Sequence, residues 1–136
     1  MDAHPSLHYW LALVRAPGIG PATALRLLAR FGDPQALFTA TADDWAAAGV
    51  PLALQDSLRQ PDWSGVDRDL RWLEGDRRCL IPWTDARYPA LLREVAQAPI
   101  ALFCHGEPDL LARRQLAIVG ARAVSRQGAE TAQAFA

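Results

Sequence analysis

The chain has 136 residues, 51% of them hydrophobic, and a formal net charge of −1, which suits one domain or two small ones. That charge excludes a uniformly basic nucleic-acid protein, and no apolar run approaches the ~20 residues of a membrane span. Every basic residue is an arginine, and Cys79 and Cys104 show no metal-ligand spacing and fall in apparent strands, which reads as reduced core thiols in a cytoplasmic protein.

The opening residues, MDAHPSLHYW, carry an acid and no basic stretch, unlike a secretory signal. Residues 6–60 read as helical. Leu7, Trp10, Leu11 and Val14 recur at helical spacing, and Leu25, Leu28 and Phe31 mark the face of a second helix, with Gly32 as its C′ residue. Between them stands Pro17-Gly18-Ile19-Gly20-Pro21. Helix, glycine turn, helix is the shape of a helix-hairpin-helix, in which the turn and the next helix N-terminus can grip a DNA phosphate. Gly18, Ile19 and Gly20 are the candidates. The same glycines serve equally for a tight turn between packed helices. Because Pro21 lacks a donor and few arginines are near, that structural use ranks first.

Asp33-Pro34 predicts an N-cap followed by proline at N1, opening a short helix through Phe38. Thr41 with Asp44 approximates a capping box ahead of Trp45, and Gly49 and Pro51 precede a helix over 52–59. The polar, turn-rich residues 61–65 are the best domain boundary, which divides the chain into 1–62 and 63–136. Beyond it, residues 66–73 read as a helix, 79–83 as a strand with Pro82 at an edge or end, 90–95 as a helix and 100–104 as a strand. A helical turn at 109–112 leads to a third strand at 116–119. Strands alternating with helices predict a parallel sheet with βαβ crossovers. The five tryptophans are spread along the chain, as core packing would have them.

Residues 116–136, LAIVGARAVSRQGAETAQAFA, concentrate the chemistry. An apolar run ends at Gly120, a polar loop carries Arg122, Ser125 and Arg126, and Gly128 precedes a helix expected from Ala129, with Glu130 in its first turn. Strand, glycine turn and helix N-terminus form an anion cradle. A nicotinamide site would need GxGxxG; here Arg122 occupies the second-glycine position, where a guanidinium would fill the pyrophosphate space but suits a single phosphate. Residues 113–128 hold four arginines and no acid, whereas residues 1–62 hold four arginines against six acids. Local charge of this kind steers a polyanion even when the total is near zero.

The stretch is similar to the "IVGSR..S..G" signature of the DNA-processing protein A family (DprA, also called Smf). Tyr88-Pro89-Ala90-Leu91-Leu92 resembles its "YP..L" element, and residues 99–106, PIALFCHG, its "P..L...G" element. The resemblance implies an α/β protein: an all-α helix-hairpin-helix or SAM-like module over 1–62, then the first part of an extended Rossmann-like domain with a parallel sheet over 63–136. It implies single-stranded DNA as ligand, the recombinase RecA as partner in natural transformation, a homodimer, and neither cofactor nor catalysis. It covers only the front of the family's length, so a truncated piece is expected, with the rest of the site and the dimer surface beyond residue 136. Gly120, Arg122, Ser125 and Gly128 match the signature. Ala121 stands where a hydroxyl residue is common and Gln127 where an aromatic is frequent; Arg126 joins the candidates by charge and position. Two other functions fit such a chain. One is a nucleoside-monophosphate glycosidase on a related fold, whose "PGGxGT..E" motif is absent from these residues. The other is a protein-interaction module formed by residues 1–62 alone. No metal set and no Ser/His/Asp arrangement can be assembled.

Overall fold

The computed structural model describes residues 5–136, so the reading of the first residues as free of a signal lies outside the described part. Six helices come first: α1 Pro5–Arg15, α2 Pro21–Phe31, α3 Pro34–Thr39, α4 Ala42–Ala47, α5 Leu52–Arg59 and α6 Trp63–Leu73. Their ends follow from local chemistry. Asp33 caps α3 by accepting the Ala36 amide at 2.9 Å, with Pro34 at the first helical position. Thr41 and Asp44 form a complete capping box on α4: the Thr41 hydroxyl accepts the Asp44 amide and the Asp44 carboxylate accepts the Thr41 amide. Gly32 closes α2 at φ 92° and donates to the Leu28 carbonyl, a conformation that favours glycine.

Leu11, Leu13, Leu37 and Leu58 are completely or nearly inaccessible to solvent and, with Trp10 and Trp45, centre the core. The Trp45 indole donates to the Leu37 carbonyl at 2.9 Å, so its one polar atom is satisfied inside. Core and half-buried positions take four of the five tryptophans; Trp63 stays partly exposed, edge-on to Tyr9.

Helix α6 starts at Trp63, earlier than its apolar spacing suggested, because Asp62 caps it. The Asp62 carboxylate accepts the Gly65 amide, the Ser64 hydroxyl and the Arg15 guanidinium, each at 2.9 Å, and Arg15 also reaches Asp69 at 3.0 Å. This clamp ties the end of α1 to the start of α6. Gly65 makes it possible: a Cβ there would overlap the Arg15 guanidinium and the Asp62 carboxylate. The Gly65 amide first, then Arg15 and Ser64, hold the Asp62 pKa down at about 2. A carboxylate depressed in the folded state stabilises the fold above its unfolded pKa of about 4 and loses that contribution as pH falls towards 2. Thermal midpoints should therefore fall across that interval. In both Asp62→Asn and Gly65→Ala this part of the acid sensitivity should be absent.

Two strands follow, β1 Arg78–Pro82 and β2 Ala101–His105, and they pair antiparallel with Cys79 opposite Cys104 and Ile81 opposite Leu102. The expectation of a parallel pair joined by a βαβ crossover is thus corrected. A parallel return needs an element long enough to cross the sheet, and the connection over 83–100 holds only α7 Ala90–Arg93, a single turn. The Trp83 amide donates to the Ile100 carbonyl and the Gly106 amide to the Arg77 carbonyl, so odd-numbered β1 residues occupy the hydrogen-bonded positions. Pro82 therefore turns its donor-less nitrogen away from the partner strand, which is why the strand tolerates it.

The two sheet faces have different neighbours. Leu80 and Ala101 join the helical core, and Trp72 of α6 meets Phe103 and His105 edge-on beneath the Arg78 guanidinium. On the opposite face Ile81 is buried, and Tyr88 and Ala98 of the connection are buried as well. The Tyr88 hydroxyl donates to the Pro99 carbonyl at 2.6 Å, and Arg93 donates to the Trp83 and Asp85 carbonyls while lying over both aromatic rings. The Tyr-Pro element is thus a latch for the connection. Tyr88→Phe should cost about 0.5–1.5 kcal/mol, the range for losing one hydrogen bond whose acceptor water can still reach, measured by urea unfolding.

The third expected strand, 116–119, is not formed among the described residues. After a 3₁₀ turn at Pro108–Ala112 the chain runs extended and exposed to helix α8, Arg126–Phe135. Among the described residues no strand lies beside the run to share a ladder with it, and a strand exists only through such a ladder. No core residue lies beyond Ala101.

Candidate functional site

Helix α8 begins at Arg126, three residues before its expected start, because Ser125 is its N-cap. The Ser125 hydroxyl oxygen accepts the Gly128 amide at 3.1 Å, and the Ser125 carbonyl accepts the Ala129 amide. Arg126 and Gly128 consequently sit in the first turn, and Glu130 lies in the second. Among the described residues the Arg126 and Gln127 amides have no acceptor, leaving two donors directed out of a ten-residue helix at its positive end. With its oxygen engaged by Gly128, the Ser125 hydroxyl still has its proton to donate.

Space at Gly128 is tight, and a side chain there would push its neighbours by a few tenths of an ångström. A Cβ there would come within 3.1 Å of Val124 Cγ2 and 3.2 Å of the Ser125 hydroxyl, crowding the cap. Gly120 is different: its φ is not positive and a Cβ would meet nothing within 4 Å, so this fold places no demand for glycine there. Ala121 is exposed and offers only backbone groups.

The arginines divide by partner. Arg126 is paired with Glu130 at 3.1 Å, one helical turn on, which offsets part of its attraction for an incoming anion. Arg122, Arg113 and Arg114 are exposed and make no ion pair among the described residues. Arg122 therefore carries the loop's uncommitted charge. The loop also borders an open groove of about 1090 Å³ between the extended run and α8, whose lining includes Ile118, Val119 and Phe135. The groove is apolar and contains no catalytic set.

At the other candidate, Gly18 has φ 78° and a Cβ there would come within 2.9 Å of Leu54 Cδ2, while Ile19 is buried as an anchor. The Ser57 hydroxyl donates to the Pro17 carbonyl at 2.8 Å, fastening α5 to the turn. Gly20 is the N-cap of α2 with no side-chain cap, and Pro21 removes a donor at N1. The nearest preceding cation, Arg15, is committed to Asp62 and Asp69. The turn is well built as a joint, and it lacks the charge that a phosphate grip would use. Sequence reasoning missed the Arg15–Asp62–Asp69 clamp, since nothing in residue spacing pairs positions so far apart.

Among the described residues no group of three or more His, Cys, Asp or Glu side chains could hold a metal ion, and no helix is long and apolar enough to cross a membrane.

Comparison with known proteins covers both parts of the chain. A family described as "DprA-like N-terminal HHH domain" matches residues 6–53, and one described as "DNA recombination-mediator protein A" matches residues 79–136. The chain is similar to the DNA processing protein DprA of Streptococcus pneumoniae, 45% identical over 49 residues, which is 36% of this chain and 17% of that protein. It is also similar to the protein Smf of Escherichia coli, 39% identical over 70 residues, which is 52% of this chain and 19% of that protein. The matched segments thus span less than a fifth of either relative.

Proposed function

For a chain that belongs to the DprA/Smf family, we propose a role in DNA processing by binding single-stranded DNA, without catalysis, through the loop of Gly120, Ala121, Arg122, Ser125, Arg126 and Gly128. Arg122 pairs with a backbone phosphate, the Ser125 hydroxyl and the open amides of α8 donate to its oxygens, and Arg113 and Arg114 extend the positive surface along the strand. The observation that supports this most is the uncommitted Arg122 charge next to a helix N-terminus on an acid-free stretch. Bases need no specific reader in this scheme; affinity comes from phosphate and is salt-dependent. Handover of the bound strand to the recombinase RecA, a homodimeric assembly and a cytoplasmic site of action belong to the same proposal, as does a Rossmann-like parallel sheet in which residues 116–119 supply a strand. Residues 1–62 serve as the helical module that buttresses this domain, with Gly18, Ile19 and Gly20 forming its joint.

The test is fluorescence anisotropy of a labelled single-stranded oligonucleotide titrated with the protein, beside a duplex of the same sequence. Binding that favours the single strand and weakens with added salt is the expected result. Absence of binding, together with release of nucleobase from a nucleoside monophosphate, would replace this reading with the glycosidase.

A further inference from the structure

We infer that Cys79 and Cys104 form a reversible intramolecular disulfide, making the β1–β2 sheet a peroxide-sensitive modification site. The two residues are direct partners in the antiparallel register, and both thiols are free and only half-buried, so an oxidant can reach them. They lie on the hydrogen-bonded rungs of the ladder, together with the Arg77–Gly106 and Trp83–Ile100 pairs. At such a rung the Cα atoms stand about 5.5 Å apart, inside the range a disulfide spans. The Cβ atoms, at up to about 5.5 Å, must close by roughly 1 Å to reach disulfide geometry. The bond therefore forms with strain, and a strained disulfide is a labile one. A dithiol metal site is the weaker use of the pair: His105 lies on the opposite sheet face against Trp72, and among the described residues no third ligand joins the two sulfurs.

Burial raises the pKa of the Cys79 thiol, with Cys104 adding to the effect and Arg87 opposing it. The chemistry balances with either sulfur reacting first. One thiolate displaces hydroxide from hydrogen peroxide to give a sulfenic acid. The partner sulfur then attacks the sulfenic sulfur, its proton leaving with the expelled hydroxide as water. Overall two thiols and one peroxide give one disulfide and two waters. Two equivalents of a cellular thiol reverse the bond by exchange.

The experiment is peroxide treatment of the folded protein, followed by alkylation and mass spectrometry of the intact chain and its peptides. The expected product is a monomer lighter by two hydrogen atoms, with neither thiol alkylated and both cysteines released in one linked peptide. Reduced glutathione should restore both thiols, and the link should form more slowly in urea-unfolded protein, where the strands no longer hold the sulfurs together. Thiols that stay alkylatable, oxygen adducts without a link, a disulfide only between chains, a link that glutathione leaves closed, or equal rates folded and unfolded would each overturn the proposal.

Discussion

Arg122→Ala should weaken single-stranded oligonucleotide binding by about 1.5–3 kcal/mol, a factor of roughly 10 to 150 in Kd. The range is that of one charge-assisted phosphate contact, and Arg122 is placed towards its upper end because no carboxylate competes for it among the described residues. Removing one phosphate contact should also make the plot of log affinity against log salt shallower by about 0.7. Arg126→Ala makes an internal comparison. Its guanidinium is already held by Glu130 in an exposed pair, so its loss should cost less, and Glu130→Gln should strengthen binding slightly. Arg71→Ala on α6, remote in sequence from the loop, should leave both affinity and slope unchanged. Equal losses for Arg122, Arg126 and Arg71 would mean diffuse electrostatic attraction in place of a defined grip.

Leu37→Ala should destabilise the helical module by about 2–5 kcal/mol, measured by urea or thermal unfolding. Leu37 is wholly inaccessible to solvent, and α3, which carries it, packs on both α1 and α2. Its carbonyl also receives the Trp45 indole, so a collapse around the missing side chain would have to move a satisfied hydrogen bond as well. That restricts relaxation and keeps a cavity open, the condition under which such truncations cost most. Against a total stability of about 5–15 kcal/mol for an ordinary domain, the loss is a large fraction. Leu52→Ala, on the exposed side of α5, should be close to neutral.

What could be read from the residues was whatever local chemistry decides. The Asp33 cap, the Thr41–Asp44 box and the Gly32 terminus each satisfy groups within a few residues of themselves, and each appears in the fold where the spacing put it. The strand positions near 79–83 and 100–104 were also legible, within a residue at each end. Their direction was not, because it depends on whether the 83–100 connection forms a crossing helix or a latch, and the latch rests on Tyr88, Pro99 and Arg93 meeting in space. Apolar residues 116–119 had the composition of a buried strand, yet a strand needs a neighbour, which composition cannot supply. At the loop, residue types pointed to Arg122, Ser125 and Gly128, but not to Ser125 acting as the cap or to Glu130 holding Arg126, since the helix was expected to begin later.

The most direct measurement of the phosphate grip is a backbone amide NMR titration of the protein with an unlabelled single-stranded oligonucleotide. The account predicts progressive shifts confined to residues 120–128 and the neighbouring 113–114, with the amides of Gly18, Ile19 and Gly20 unmoved. Shifts centred on the Gly18–Gly20 turn, with residues 120–128 silent, would contradict it and move the DNA contact to the helix-hairpin-helix.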